Sequence, residues 1–495
     1  MEEQKQGGTS YSNIFKTTFL FGFVQVFKAV ISIIKNKIAA VLIGPEGMGL
    51  IGIFGSTMDL IRTAAGLGVN QSAVRDVAEA FGSQQRSKYS KIIVATNKVV
   101  LFTGAFGCFV TLILSRYLSE WTLGDTTHTI SYCVLAIAIA INIINEGKAA
   151  LLKGTRQLRS LAYSSMIGSV VSIVTAVPLF YFFGKDGVVP EFLIAAVLGL
   201  LTTQYFVVKI PYDRVLLPSK EVWNSAKPMV RMGSALMYVS LLQFAVTFVL
   251  NNFVRAHGGL SEVGFFNVGV TILNAYFGLV VTAISTDYYP RISAVNYDNE
   301  KIQEELNRQS IVSVVLVGPM FVLFLAFLPI WIGLLYSNEF LPAMNYIKYA
   351  IYWSLITVCS NQVDMILVAK FNTKVMTIIA TAMRVLQLGI AIPLYYFFGL
   401  TGLGITFAIL GILHITVMSV VVYRLYKIRF SNTFIKIGIV VLAFALISSL
   451  LCEISTPVIR YSIGGMVVLS SFIFSYYVMK NKMNLDLLSF IKKKI

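Results

Sequence analysis

Fourteen runs of about 20 apolar residues, each long enough to cross a bilayer, constrain this chain more than anything else in it. They cover 14–43, 47–69, 92–115, 129–150, 161–183, 187–208, 228–254, 261–287, 309–336, 343–369, 375–398, 400–423, 437–451 and 457–479. In hydrocarbon every backbone N–H and C=O must bond within the protein, so runs of this length are helices; the ten-residue alternation of a barrel strand is absent. Composition agrees. Of 495 residues, 57% are apolar and 13% charged, where a soluble domain carries about 25% charged residues. The expected fold class is an all-α polytopic membrane protein. The first run, from Ile14 to Ile43, is too long for the core of a cleavable signal and is expected to stay as the first membrane helix.

The net charge of +17 follows the same logic. Of the 40 Lys and Arg residues, 26 fall in the N-tail, the C-tail and every second loop, and only Arg116, Lys185 and Arg255 fall in the loops between. Basic residues stay on the cytoplasmic side beside anionic headgroups, so both termini are expected there and nucleic acid is not an expected partner. The four cysteines, Cys108, Cys133, Cys359 and Cys452, sit in or beside apolar runs without CxxC spacing and read as small buried residues.

The chain repeats itself. VPLFYFFGKDGV (177–188) returns as IPLYYFFGLTGL (392–403), an offset of 215 residues that also pairs Gly49 with Gly264 and Lys16 with Arg231; with a two-residue slip it pairs Lys153 with Lys370. Two six-helix lobes are expected, 1–208 and 228–427, joined by a cytoplasmic linker at 209–227 and followed by two further helices and a basic tail at 428–495. Six is even, so both lobes keep one orientation, an arrangement that suits a transporter working by alternating access.

Eleven basic residues lie inside the runs or at their ends. An ionisable group at mid-bilayer is costly and faces a cavity or a partner. Lys28 and Lys35 are seven apart and share a helix face; Lys37 points away from Lys28. With Arg62 they form a positive set suited to an anion rich in phosphate oxygens, Lys as a point charge and Arg as a fork. Asp59, one turn from Arg62, either neutralises it or shares its cavity. Lys98, Arg231, Lys348 and Arg384 are secondary candidates. Gln243, Asn251, Asn274 and Tyr276 offer amides and an aromatic ring for sugars, or bonds between helices. Asp364, with Asn361 and Gln362 nearby, is a candidate for exchanging a proton, for binding sodium, or for pairing with a lysine; Asp287 and Glu146, near cytoplasmic ends, are further ion-coupling candidates. His128, His257 and His414 receive no role. No GxxxxGK[ST], HExxH or GxSxG motif is present, and no loop is long enough for a catalytic domain, so an enzyme is not expected.

The segment KAVISIIKNKIAAVLIGPEGMG (28–49) resembles the first-helix signature of the Wzx polysaccharide flippases, WzxE-type translocases in particular, at Lys28, Lys37, Gly44, Pro45, Gly47, Gly49 and Leu50. LLKGTRQLRSLA (151–162) resembles the loop after that family's fourth helix. The resemblance implies membership of the multidrug/oligosaccharidyl-lipid/polysaccharide (MOP) exporter superfamily and a central cavity lined by helices one, two, seven and eight. The implied substrate is an oligosaccharide on undecaprenyl pyrophosphate, moved from the cytoplasmic to the periplasmic leaflet of a bacterial inner membrane. It implies no cofactor beyond a coupling H+ or Na+; the implied partners are the lipid-linked substrate, membrane lipids, a glycan polymerase and a chain-length regulator. Fourteen helices are similar to the lipid II flippases. A drug exporter of the same superfamily is the rival reading; it predicts an acidic cavity for organic cations, whereas the deep charges here are net basic.

Overall fold

Apolar runs of this length fold as helices wherever glycine or proline does not interrupt them, and the computed structural model of the chain follows that rule. It describes residues 3–83, 85–213, 215–454 and 456–483, with side chains from residue 22 onward except at 275, 276, 283 and 286. Among these residues every regular element is helical: α1 (Glu3–Gly66), α2 (Val69–Gly82), α3 (Arg86–Leu123), α4 (Thr129–Gly154), α5 (Leu158–Phe183), α6 (Val188–Val207), α7 (Ser219–Thr271), α8 (Gly278–Ala294), α9 (Asn299–Ala326), α10 (Leu328–Leu335), α11 (Met344–Ala369), α12 (Thr373–Tyr426), α13 (Asn432–Leu451) and α14 (Pro457–Met483). A π-helical turn, Ile272–Phe277, joins α7 to α8. Nine stretches among the described residues are long and apolar enough to cross a membrane, which makes the chain an all-α polytopic membrane protein. Several expected runs are the two limbs of one kinked helix: 14–43 and 47–69 in α1, 375–398 and 400–423 in α12.

The kinks carry the internal repeat in their backbone angles. Gly44 (φ 63°, ψ −170°) kinks α1 and Gly259 (φ 81°, ψ 178°) kinks α7, 215 residues later. Gly184 (φ 55°, ψ −128°) ends α5 and Gly399 (φ 57°, ψ −139°) kinks α12 at the same offset. These combinations are closed to residues with a Cβ, so glycine holds them. The offset also corrects one sequence pairing. Arg156 (φ 55°) and Phe371 (φ 56°) are both left-handed. Each is followed by the same cap, Gln157 N–H to Leu152 O and Asn372 N–H to Leu367 O, both 2.9 Å. Lys370 therefore aligns with Thr155 without the two-residue slip that paired it with Lys153.

The chain divides by its contacts into two compact units, Met1–Gly264 and Phe265–Ile495. In the first, the α1 limb after the kink crosses α7 backbone to backbone. A Cβ on Gly49 would sit 2.1 Å from Leu260 O, and one on Gly264 would sit 2.1 Å from Pro45 O. The repeat equates Gly49 with Gly264 and Pro45 with Leu260, so the contact is reciprocal. An amphipathic helix that the sequence reading left unassigned, α2, buries Val77 and Ala80 against Ile93, Leu151, Leu152 and Val207. The second unit builds the matching core from Ile292, Ile366, Leu367 and Val422. There Asp298 caps α9 by accepting from Glu300 and Lys301 N–H, and these hydrogen bonds, that to Lys301 first, hold its carboxyl below the usual range.

Because the atoms met at Gly49 are backbone, no rotamer change can relieve an added methyl. Gly49→Ala is expected to cost about 1–3 kcal/mol. Gly438→Ala in α13, where a Cβ meets nothing within 4 Å, should be neutral or stabilising by up to about 1 kcal/mol. Thermal unfolding in detergent compares the two; equal midpoints would refute the close crossing.

Candidate functional site

The first-helix lysines are placed by helical periodicity. Lys28 and Lys35 line one cleft of about 500 Å³ inside the first unit, walled by α1, α4, α5 and α6. The walls are small and polar: Ser32, Asn36, Asn145, Ser165, Ser169 and Ser172. Lys35 donates to Ser172 Oγ (2.6 Å) and to Glu191 Oε1 (2.7 Å). Glu191, on the first turn of α6, is 3% exposed. Its oxygen meets a cation and lies near a helix N-terminus, two arrangements that offset the cost of burying a carboxylate. Lys28 is exposed to the cleft and, among the described residues, has no ion-pair partner. Lys37 is half-buried and is not part of this lining.

Arg62 is elsewhere. It forms an ion pair with Asp59 (2.8 Å) on its own helix and a second with Glu146 of α4. Glu146 also accepts from Asn70 Nδ2 at 2.7 Å. With Gln71, Met237, Ser240 and Phe244, Arg62, Glu146 and Asn70 line a separate cleft of about 260 Å³. Three of the four expected phosphate ligands thus fall into two places, one with a cation left over and one with two carboxylates on a single arginine, and Lys37 lines neither.

In the second unit Asp364 Oδ1 lies 3.6 Å from His414 Nε2, within ion-pair reach but beyond a hydrogen bond. The expected neighbours of Asp364 bond elsewhere, Asn361 to Ser285 and Gln362 to Ser310 and Ser313. Arg384 donates to Gln387 Oε1 at 2.7 Å. Asp287 pairs with Arg291 (2.9 Å), which also reaches Glu305 (2.6 Å) and Gln309. Of the expected sugar ligands, Asn251 is fully buried and its amide reaches Gly52 O and Ser56 Oγ, both at 3.0 Å. Gln243 is half-buried and Asn274 is exposed in the π-helical turn. The side chain of Tyr276 lies outside the described residues. Lys98 donates to Leu217 O, and Lys348 pairs with Glu453.

Two groups escaped the sequence reading. Glu191 follows Pro190 at a helix start, where a glutamate is ordinary; His414 is a single histidine in an apolar run. The repeat was the signal that could have found them. At the offset of 215, Ser169 and Gly199 of the first cleft correspond to Arg384 and His414, while Lys28, Lys35 and Glu191 correspond to Gln243, Leu250 and Thr406. Equivalent backbones therefore carry different charges, from α1 and α6 in one repeat and from α11 and α12 in the other.

Removing Arg62 would leave Asp59 and Glu146 without their cation. A fully buried pair broken this way costs about 3–5 kcal/mol. These side chains keep 26–43% of their surface, so Arg62→Ala is expected to cost about 1–3 kcal/mol. In a double-mutant cycle by thermal unfolding, Glu146→Gln should recover part of it; additive losses would show that the pair does not couple.

Comparison with known proteins agrees with this architecture. Residues 14–296 match the family described as polysaccharide biosynthesis protein. The lipid III flippases of Escherichia coli (strain K12) and Shigella flexneri are each 21% identical over 315 residues, which is 62% of this chain and 74% of theirs. A lipid II flippase MurJ structure in an inward closed conformation superposes with a TM-score of 0.74 at 14% identity, over 94% of this chain and all of that one. An inward-facing multidrug resistance MATE family transporter of the MOP superfamily superposes at 0.64 and 17% identity, over 86% of this chain and 98% of that one. These structural likenesses show a shared fold, and the family match bears out the resemblance carried by the first-helix motif. With more than half of its length matched, the chain belongs to the polysaccharide biosynthesis protein family.

Proposed function

We propose that this protein is a flippase that moves an oligosaccharide carried on undecaprenyl pyrophosphate from the cytoplasmic to the periplasmic leaflet of the inner membrane, with both termini in the cytoplasm. One observation carries the reading. The polar cleft on the first helix presents Lys28, a cation without a described counter-charge, beside a second lysine. Family membership and the lipid III flippase relatives point the same way. No bond of the substrate is made or broken in this reading.

The proposed cycle is alternating access. The pyrophosphate enters the cleft from the cytoplasmic leaflet and binds Lys28; serine hydroxyls and asparagine N–H groups donate to its oxygens. The Arg62 group, two carboxylates on one arginine, offers hydrogen bonds to the glycan, and the prenyl chain stays in lipid. The Asp364–His414 pair takes the coupling ion, a proton, since a carboxylate and an imidazole at this separation exchange one charge between them. A ligand biases the cycle only by its differential affinity for the two states. The delivered unit passes to a glycan polymerase and a chain-length regulator.

Complementation tests the reading. Expressed in bacteria lacking their own O-antigen or common-antigen flippase, the wild-type chain should restore surface glycan. A lost charge-assisted contact is worth about 1.5–3 kcal/mol, so Lys28→Ala should reduce restoration roughly 10- to 100-fold at equal membrane abundance. Full restoration by Lys28→Ala would remove the proposed headgroup site.

A further inference from the structure

The cleft that holds Lys28 also holds a carboxylate, which is unexpected for a site built to receive an anion. Glu191 is nine-tenths buried and more, and its oxygen is 2.7 Å from Lys35 Nζ. Lys35 is fixed from a second side by Ser172 Oγ at 2.6 Å. The other charged group of the lining is Lys28; Asn36 of α1, Asn145 of α4, Ser169 and Ser172 of α5 and Phe192 of α6 complete what faces it. Glu191 is thus the single acid among two lysines, and it occupies the direction in which Lys35 would meet a ligand.

We infer that Glu191 is a built-in competitor for the substrate's phosphate: it holds Lys35 while the cleft is empty and is displaced when the anion arrives. The inference rests on the flippase reading and names how that cleft is loaded. The physical argument is one of charge and geometry. With Glu191 on Lys35 the cleft offers one net positive charge. With Glu191 withdrawn it offers two, about two helical turns apart on one face of α1, within reach of one diphosphate through their long side chains. The resident carboxylate also spares the empty state an uncompensated cation in hydrocarbon. A phosphate monoester, at about −1.5 to −2 at pH 7, repays displacement of a carboxylate less than the more highly charged farnesyl diphosphate does, so Glu191 also sets selectivity for the diphosphate. The second repeat has Thr406 and Leu250 at the positions of Glu191 and Lys35, so this arrangement belongs to the first repeat alone.

The test is binding of farnesyl pyrophosphate and farnesyl monophosphate to the full chain in detergent, for wild type, Glu191→Gln, Glu191→Asp, Lys35→Ala and Lys28→Ala. Glu191→Gln keeps the shape and removes the competing charge. It should bind the diphosphate about tenfold tighter and narrow the preference over the monophosphate. Glu191→Asp should restore wild-type behaviour, which a purely structural role for Gln would not predict. Wild-type affinity and selectivity in Glu191→Gln, with Lys28→Ala still weakening binding, would overturn this inference and leave the flippase reading standing. Absence of diphosphate binding in every protein, wild type included, would overturn both. If Glu191→Gln unfolds, the comparison of Lys35→Ala with Lys28→Ala decides: Lys35→Ala must lose diphosphate affinity while keeping monophosphate affinity, and equal losses would overturn the inference.

Discussion

A charge in hydrocarbon is tolerable only with a partner or in a wet cavity, and the interior of this protein is arranged around that cost. Four acids set within the helices each face a base: Glu191 meets Lys35, Asp59 and Glu146 share Arg62, and Asp364 faces His414. Apart from Asp59 and Arg62, which share α1, the partners come from different helices, so those pairs also tie a helix to its neighbour. Lys28 stands apart, exposed in a cleft of hydroxyls and amides. Among the described residues it has no ion-pair partner, and this is the physical ground for the anionic substrate proposed above.

The bilayer acts on the backbone in the same way. Chain reversals and kinks inside hydrocarbon must keep their N–H and C=O groups bonded, and here they recur at glycines 215 residues apart with nearly the same angles. Duplication preserved these angles, the left-handed caps at Arg156 and Phe371, and the apolar cores under Val77 and Ile292. It did not preserve the charges. Backbone geometry tolerates few residues at a kink, whereas a polar niche accepts a different set of side chains provided its charges balance. One repeat was thereby free to keep lysines suited to an anion while the other acquired a carboxylate and an imidazole.

This difference explains how much of the site was legible beforehand. Lys28 and Lys35 sharing a face, and Asp59 standing one turn from Arg62, are consequences of 3.6 residues per turn and needed no structure. The grouping of Lys28 with Arg62 did not hold, because the two line separate clefts. Their separation depends on which helices pack behind each limb of α1, and periodicity says nothing about that. Asn251 shows the same limit. An amide in an apolar helix serves a sugar or a neighbouring helix equally well by composition; its contact with Gly52 and Ser56 is a matter of packing.

The sequence by itself determined the class of the protein, the positions of its helices, the glycines that break them and the duplication that relates its halves. All of these follow from local rules: hydropathy over about 20 residues, the steric freedom of glycine and identity at a constant offset. The tertiary structure alone decided which acid neutralises which base, because Lys35 and Glu191 are 156 residues apart and Arg62 and Glu146 are 84 apart. Those pairings turn on how helices lie beside one another. Among the described residues they leave Lys28 without an ion-pair partner and set Glu191 against Lys35, and so they carry the chemistry.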